Sequence, residues 1–486
     1  MRVVLFALNG SYSHTNLAVR CLRKPLEEDG VEVIIVERNL RDRRDEILQT
    51  LYKKRADVYG FSCYIWNISE MLDFAADLKA LLPETAIVFG GPEVSFDMER
   101  FLGASYIDCF VAGEGEIAFR KVCEEIRKGK MPNRVVRSTD VTDLENAGIL
   151  YRDGDYPADG MLYYESSRGC PYRCGYCLSS ACGKLRMKSV DRVLADLAEF
   201  EMLKQNIKII KFVDRTFNAD TSRANAIWTA LLEERFTKHY HFEICASLLN
   251  EESFAILARF PKGKIQLEIG LQSTNPETLA EVSRHIDPRQ VINATERIHK
   301  MGNIHVHLDL IAGLPFESYR RFGQSFDEAY FCSDMLQLGF LKLLHGTALR
   351  RNAEKYGYIA MTKAPYTVLQ SKWMTRDELY RLSRISDLLD RFYSSGRFER
   401  ELNYVVRLVP SPFGFYERLL EHLEKSDGRD IRKLSQVDAF RLLYRYVSTF
   451  LTKAELEIFE EKMHDDFAAH EARRLPYSVV AGVRTK

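Results

Sequence analysis

What this 486-residue sequence lacks narrows the field first. No apolar run approaches the ~18–20 residues of a membrane-spanning helix. The amino terminus, MRVVLFALNG, turns into a polar loop before reaching the length of a secretory apolar core. Net charge is missing as well: 69 Lys and Arg balance 69 Asp and Glu, so no overall field draws the chain to nucleic acid or an anionic membrane. Basic stretches such as RDRRDE (41–46) and LYKKR (51–55) alternate with acids on predicted helices and read as solvated faces. There is no G-x-G-x-x-G fingerprint, which disfavours a nicotinamide cofactor. No low-complexity tract or short repeat is evident. With no secretory signal, the expectation is a cytoplasmic protein whose ten cysteines are mostly reduced rather than a disulfide framework. Cys21, Cys63, Cys109, Cys123, Cys245 and Cys332 stand singly in apolar surroundings and read as buried structural thiols.

What is present is a long α/β chain, 46% hydrophobic, sized for two or three domains. Residues 1–130 alternate short apolar runs (RVVLFAL, VEVIIVE, ADVYGFSCY, TAIVFGG, YIDCFVAGEGE) with amphipathic stretches. Strands of that kind imply a parallel sheet with helices on both faces, a Rossmann-like doubly wound domain. Residues 131–159, with scattered Pro, Gly and Asp, read as a linker with little regular structure. A second series fills residues 160–355, with strands at MLYYESS, IKIIKFVD, HFEICAS, IQLEIGLQS, VHLDLIAGLP and LQLGFLKLL. Six β-then-α units suggest a partial barrel, and ligands gather at the C-terminal ends of such strands. Residues 356–486 are mostly helical and charged, and carry no catalytic motif.

The stretch SSRGCPYRCGYCLSS (166–180) spaces Cys170, Cys174 and Cys177 as C-x-x-x-C-x-x-C. Structural zinc needs four protein ligands, usually from two C-x-x-C knuckles, and no second knuckle exists here. Cys182 is close but breaks zinc spacing. Three thiolates instead suit a [4Fe–4S] cluster with one iron left open. Gly169, Pro171 and Gly175 let the loop wrap closely, and Tyr172 and Tyr176 can shield it.

This motif, with Tyr176 before its last cysteine and placed after the first strand of a partial barrel, resembles the radical S-adenosylmethionine enzymes. The resemblance implies that the open iron chelates S-adenosylmethionine and that one electron cleaves it to a 5′-deoxyadenosyl radical. It extends to FVDRTFN (212–218), which departs from the common Gly-Gly-Glu form and offers Asp214 to the cofactor's amino group. LEIGLQS (267–273) places Glu268, Gln272 and Ser273 near the ribose or methionine portion. LIAGLPFES (310–318), with Ile311 and Gly313, would flank the adenine, and LLHGTAL (343–349) resembles a Pro-Gly-Thr loop with His345 in place of proline.

The glycine-bearing loops GGPEVS (90–95) and GEGE (113–116) resemble those of the B12-binding-domain members of this family. That resemblance implies cobalamin contacts from Ser11, His14, Ser62, Gly90, Gly91, Glu93, Gly113 and Glu114. The histidine-ligand motif D-x-H-x-x-G is absent, its nearest match being Tyr12-x-His14-x-x-Leu17. The whole reading is α/β: an N-terminal Rossmann-like cobalamin-binding domain, a partial (β/α)6 TIM-type radical barrel and a C-terminal mostly α-helical region. The implied function is a cobalamin-dependent methyltransferase acting on an unactivated carbon. The alternatives are a cyclase or ring-contraction enzyme, a methylthiotransferase, or a non-catalytic cobalamin or redox sensor. Expected partners are a small-molecule or peptide substrate and a flavodoxin- or ferredoxin-type reductant, with neither nucleic acid nor membrane. The C-terminal region would cap the barrel mouth with aromatics such as Trp373, Phe413 and Tyr416; no side chain is assigned as catalytic.

Overall fold

The fold was read from a computed structural model that describes residues 1–156, 161–181, 183–203, 207–426, 428–471 and 479. Its first sheet runs β1 Arg2–Asn9, β2 Glu32–Asn39, β3 Val58–Ser62, β4 Ala86–Gly90, β5 Cys109–Ala112 and β6 Val135–Arg137. All pairings are parallel and the spatial order is β2-β1-β3-β4-β5-β6. The uninterrupted apolar runs are explained by burial on both faces. Val3, Leu5 and Ala7 pack with α1 (Leu17–Glu28) and α4 (Gly115–Arg127) on one side. Phe6, Phe61 and Phe89 pack with α2 (Arg44–Lys54) and α3 (Ile68–Leu81) on the other. β6 is a short strand within residues 131–159, the stretch expected to be a linker with little regular structure. Three residues, two half-buried and one exposed, give no periodicity to detect, yet they extend the sheet beside β5.

The second sheet is also parallel and takes its strands in sequence order: Met161–Tyr164, Ile209–Phe212, His239–Ile244, Ile265–Gln272, His305–Ala312 and Met335–Phe340. In the fourth of these Ile265, Leu267, Ile269 and Leu271 are buried, while Gln266, Glu268, Gly270 and Gln272 take the opposite, inward parity. An open six-stranded barrel has two free edges, and other parts of the chain cover both. Beside the first strand, Met161 N donates to Ser13 O (3.0 Å) and Tyr163 N to Tyr151 Oη (3.0 Å). Beside the last, Ser394 Oγ donates to Leu336 O (3.5 Å), just past the helix Arg376–Phe392.

The C-terminal helices share one continuous apolar core with the barrel. Phe413 and Tyr416, expected at the barrel mouth, belong to that core instead. Tyr416 Oη meets Tyr330 Oη at 2.9 Å, and Phe413 packs so close to Gly323 that a Cβ there would lie 2.6 Å from its ring. Trp373 does reach the mouth, packing on Phe316 of the fifth-strand loop with ring centroids 4.7 Å apart. Deeper in these helices Glu401 is fully buried beside Asp466, which accepts from the Arg400 amide (2.6 Å). Burial, then the Asp466 charge, pushes the Glu401 carboxyl well up. A carboxyl that holds its proton more tightly folded than unfolded loses stability as pH rises past the ordinary carboxylate range. Glu401→Gln is therefore expected to gain on the wild type by up to ~1.4 kcal/mol per pH unit above that range. Urea unfolding from pH 5 to 8 reads this, and a gap independent of pH would refute it.

Candidate functional site

The cysteine loop leaves the first barrel strand and is clamped at each end. Ser166 N and Ser167 N donate to Asp214 Oδ1 (2.8 and 3.0 Å), and Ser166 Oγ to Asp214 Oδ2 (2.5 Å). Gly169 has φ +95°, and a Cβ there would stand 2.9 Å from Lys184 O, so only glycine fits the turn. Further on, Gly175 N donates to Val282 O (2.8 Å) and Gly175 O accepts from Leu349 N (2.9 Å). These bonds hold Cys174 buried, with Cys170 and Cys177 partly open to the barrel mouth. Cys170 Sγ lies 3.6 Å from Thr216 Oγ1. Cys182 lies outside the described residues.

Arg284 and Gln272 complete this mouth. Arg284 Nη1 donates to Cys174 Sγ (3.7 Å), Nη2 donates to Gly270 O, and Nε is buried without a partner. Burial opposes the Arg284 charge, but Tyr176 and the Cys174 sulfur outweigh it and raise its hold on the proton. Gln272 takes φ +72° at a register shift in the fourth strand, leaving its Oε1 buried and unpartnered. Neither Arg284 nor Thr216 was legible in the sequence. Arg284 returns to the mouth only after the intervening helix Pro276–Glu281, which no spacing rule announces.

Below the mouth, Glu268 is pinned on the inner wall. Its Oε2 accepts from His241 Nε2 (2.8 Å) and Lys211 Nζ (3.0 Å). Burial works against the charge, yet these two partners hold the carboxyl down at about 2. Ile311 pairs with Gly339 across the fifth and sixth strands, and Gly313 O accepts from Tyr358 Oη (3.0 Å). Two expected cofactor contacts are corrected. Both Asp214 oxygens are engaged by the cysteine loop and the residue is fully buried, so it braces that loop. Ser273, also fully buried, donates to Glu317 Oε1 (2.7 Å), away from the mouth; burial lifts the Glu317 carboxyl to about 7 against that bond.

The C-terminal edge of the first sheet gathers the other expected residues. Gly91 has φ +109°, and a Cβ there would sit 2.5 Å from Cys63 O, so its backbone alone demands glycine. Gly90 meets only ordinary contacts, and Gly113 N is bonded to Ser95 Oγ (3.0 Å), which in turn donates to Gly91 O (2.9 Å). Ser62 is buried beneath this edge, its Oγ 3.4 Å from Asn16 Nδ2, while Ser11 stays near the surface beside Ser13. Tyr64 and Trp66 stack at 4.3 Å on the same rim, with Trp66 half exposed.

Two expected contacts at this edge are also corrected, each because a partner distant in sequence has claimed the side chain. His14 Nδ1 bonds to Tyr163 Oη of the barrel and so links the two sheets; burial and then Lys211 depress its pKa. Glu93 is buried against Arg100 and accepts from Tyr366 Oη (2.7 Å). Glu114 pairs with Arg168 Nη1 (2.9 Å) and with Arg186. Arg168, two residues before Cys170, also reaches Glu116 (2.7 Å) and Glu165 (2.8 Å). His345 Nδ1 lies 3.0 Å from Asp97 Oδ2. The two parallel sheets thus meet through a network that sets the glycine edge of one beside the cysteine loop of the other.

Comparisons with known proteins bear on these parts separately. Residues 4–123 match the B12 binding domain, residues 164–329 the radical SAM superfamily, and residues 354–483 a family described as a protein of unknown function (DUF4080). The chain is 27% identical over 297 residues to an uncharacterized methyltransferase, PH0819, of Pyrococcus horikoshii, covering 56% of this chain and 64% of that protein. It is 26% identical over 299 residues to the cobalamin-dependent radical SAM methyltransferase TokK of Streptomyces tokunonensis, covering 55% and 44%. The chain therefore spans less than two thirds of the length of these curated relatives. Among solved structures, the radical S-adenosylmethionine methyltransferase TsrM of Kitasatospora setae, with cobalamin and a [4Fe-4S] cluster bound, matches in fold. The TM-score is 0.61 at 16% identity, over 96% of this chain and 99% of that one. Among the described residues no helix is long and apolar enough to cross a membrane.

Proposed function

We propose, from this chain's place among the B12-binding-domain radical S-adenosylmethionine proteins, that it is a cobalamin-dependent methyltransferase acting on an unactivated carbon of a small-molecule or peptide substrate. The observation that carries the proposal is the juxtaposition of three loop thiols, a buried arginine and an orphaned acceptor with the glycine edge of a B12-type sheet. When bound, the [4Fe–4S] cluster and S-adenosylmethionine supply radical chemistry and cobalamin carries the methyl group.

The residues present fit these groups. Cys170, Cys174 and Cys177 would ligate the cluster, leaving one iron without a protein thiolate from this loop. Arg284 offers a fixed cation to the carboxylate of S-adenosylmethionine, and Gln272 Oε1 an acceptor for one of its hydroxyls. Gly90 and Gly113 would admit the cobalamin tail, and the Tyr64–Trp66 stack an apolar corrin face. The Arg168 network ties the two sheets together. We place the protein in the cytoplasm, with electrons from a flavodoxin- or ferredoxin-type protein.

The test is cobalamin, iron and sulfide content of protein purified without oxygen from cobalamin-supplied cells. About one cobalamin and four irons per chain are expected; iron without cobalamin would remove the methyl carrier. Gly91 is a poor position for probing the tail site, because any side chain there collides with Cys63. Gly90 is the better one. Gly90→Leu is expected to melt within a few degrees of wild type and to lose at least ~10-fold in cobalamin retention. Undiminished retention would put the tail elsewhere.

A further inference from the structure

One thiol at the barrel mouth, outside the cysteine loop, is bonded differently from Cys63, Cys109 and Cys332. Cys63 donates its S–H to Phe61 O, Cys109 to Asn133 O and Cys332 to Glu328 O, as neutral buried thiols do. Cys245 Sγ instead accepts from Tyr172 Oη (3.2 Å) and lies 3.2 Å from the Ser247 hydroxyl. Tyr172 belongs to the cysteine loop itself, two residues after Cys170.

Cys245 follows the third barrel strand with the same inward parity as His241 and Glu243, and is 4% exposed. Its backbone is fixed on both sides: Cys245 N donates to Asn218 Oδ1 and Asn218 Nδ2 donates to Cys245 O, each at 2.9 Å. A loop hydroxyl that donates to the sulfur, with a second hydroxyl beside it, holds Cys245 against the cysteine loop. The unpartnered Arg284 Nε and Gln272 Oε1 at the same mouth show a space made for a ligand. A structural thiol, the reading its apolar sequence neighbours suggested, requires none of this.

We propose that Cys245 is a fourth thiolate of the cluster site, ligating the iron left open by Cys170, Cys174 and Cys177 until S-adenosylmethionine arrives. This rests on the cluster reading above. The exchange changes no oxidation state. The iron–sulfur bond to Cys245 breaks as bonds to the amino nitrogen and carboxylate oxygen form. The proton that the ammonium group must lose passes to the departing thiolate, which stays under Tyr172 and Ser247 as a thiol. Closing the fourth position protects the resting cluster from losing an iron when no cosubstrate is bound.

The experiment compares wild type, Cys245→Ala and Cys245→Ser after anaerobic reconstitution, with thermal melting as the folding control. Readouts are iron content, the EPR spectrum of the reduced cluster with and without S-adenosylmethionine, and the rate at which ferricyanide converts it to a three-iron form. All three proteins should hold about four irons, since the loop cysteines remain. Without S-adenosylmethionine, the Ala variant should lose its fourth iron at least ~10-fold faster than wild type and give a different spectrum. With S-adenosylmethionine the spectra should coincide. Equal oxidation rates and identical S-adenosylmethionine-free spectra would overturn the proposal while leaving the cluster intact. A wild type that never holds four irons would overturn the cluster reading, and this one with it.

Discussion

Cys174→Ala is expected to leave a folded chain that retains less than one iron after reconstitution and desalting. Cys174 is the buried member of the triplet, and its loop is anchored independently through Gly175 to Val282 and Leu349. The fold therefore does not depend on the sulfur, and the apoprotein should unfold within ~1 kcal/mol of wild type. The cluster does depend on it, because three loop thiolates are the fewest that leave a single open iron. Cleavage of S-adenosylmethionine should fall by more than ~100-fold, the upper end of what losing only an outer partner costs. Cys63→Ala, equally buried but bonded to Phe61 O, should keep its iron and serves as the control. A four-iron cluster in Cys174→Ala would end the assignment of the triplet.

The second large effect is on stability. Arg168 is mostly buried and satisfies Glu114, Glu116 and Glu165 at once, at 2.7–2.9 Å. Arg168→Ala strands those carboxylates in a partly dry interface, which should cost about 3 kcal/mol. The cost should depend on pH. Burial raises the Glu116 carboxyl, but Arg168 outweighs burial and holds it below the ordinary value. A depressed carboxyl contributes its full stability above the unfolded pKa of ~4.3 and loses it as pH falls through the folded one. The gap between wild type and variant should therefore be widest near pH 7 and shrink below pH ~4. Urea unfolding across that range measures it. Cobalamin retention in the same variant reports whether the glycine edge stays in register with the cysteine loop. A gap that stays constant with pH would mean that Arg168 acts through packing alone.

Pattern and partnership explain what the sequence did and did not reveal. Apart from β6, the strands of both sheets were legible because each is an apolar run or a clean alternation, as in Ile265–Gln272. The cysteine triplet was legible because all three ligands lie on one loop. β6 was not, since Val135–Arg137 is short and half exposed. Glu93 and Glu114 lie on glycine loops that resemble those of B12-binding domains, and that resemblance marked them as ligand contacts. Among their partners, Tyr366, Arg168 and Arg186 lie on the barrel side, and no local pattern encodes a pairing that the tertiary fold creates. The same reason hid Arg284 and the hydroxyl that donates to Cys245.

The way the barrel's two outermost strands are covered bears on how the chain can be divided. Ser13 and Tyr151 cap Met161 and Tyr163 on one side, and the segment after Phe392 caps Leu336 on the other. A fragment holding only the middle region would bare a row of unpaired amides and carbonyls on each flank. Such ribbons join end to end, so that fragment should assemble into open-ended polymers rather than remain a small soluble unit. The two flanking regions thus act as stoppers on the middle one.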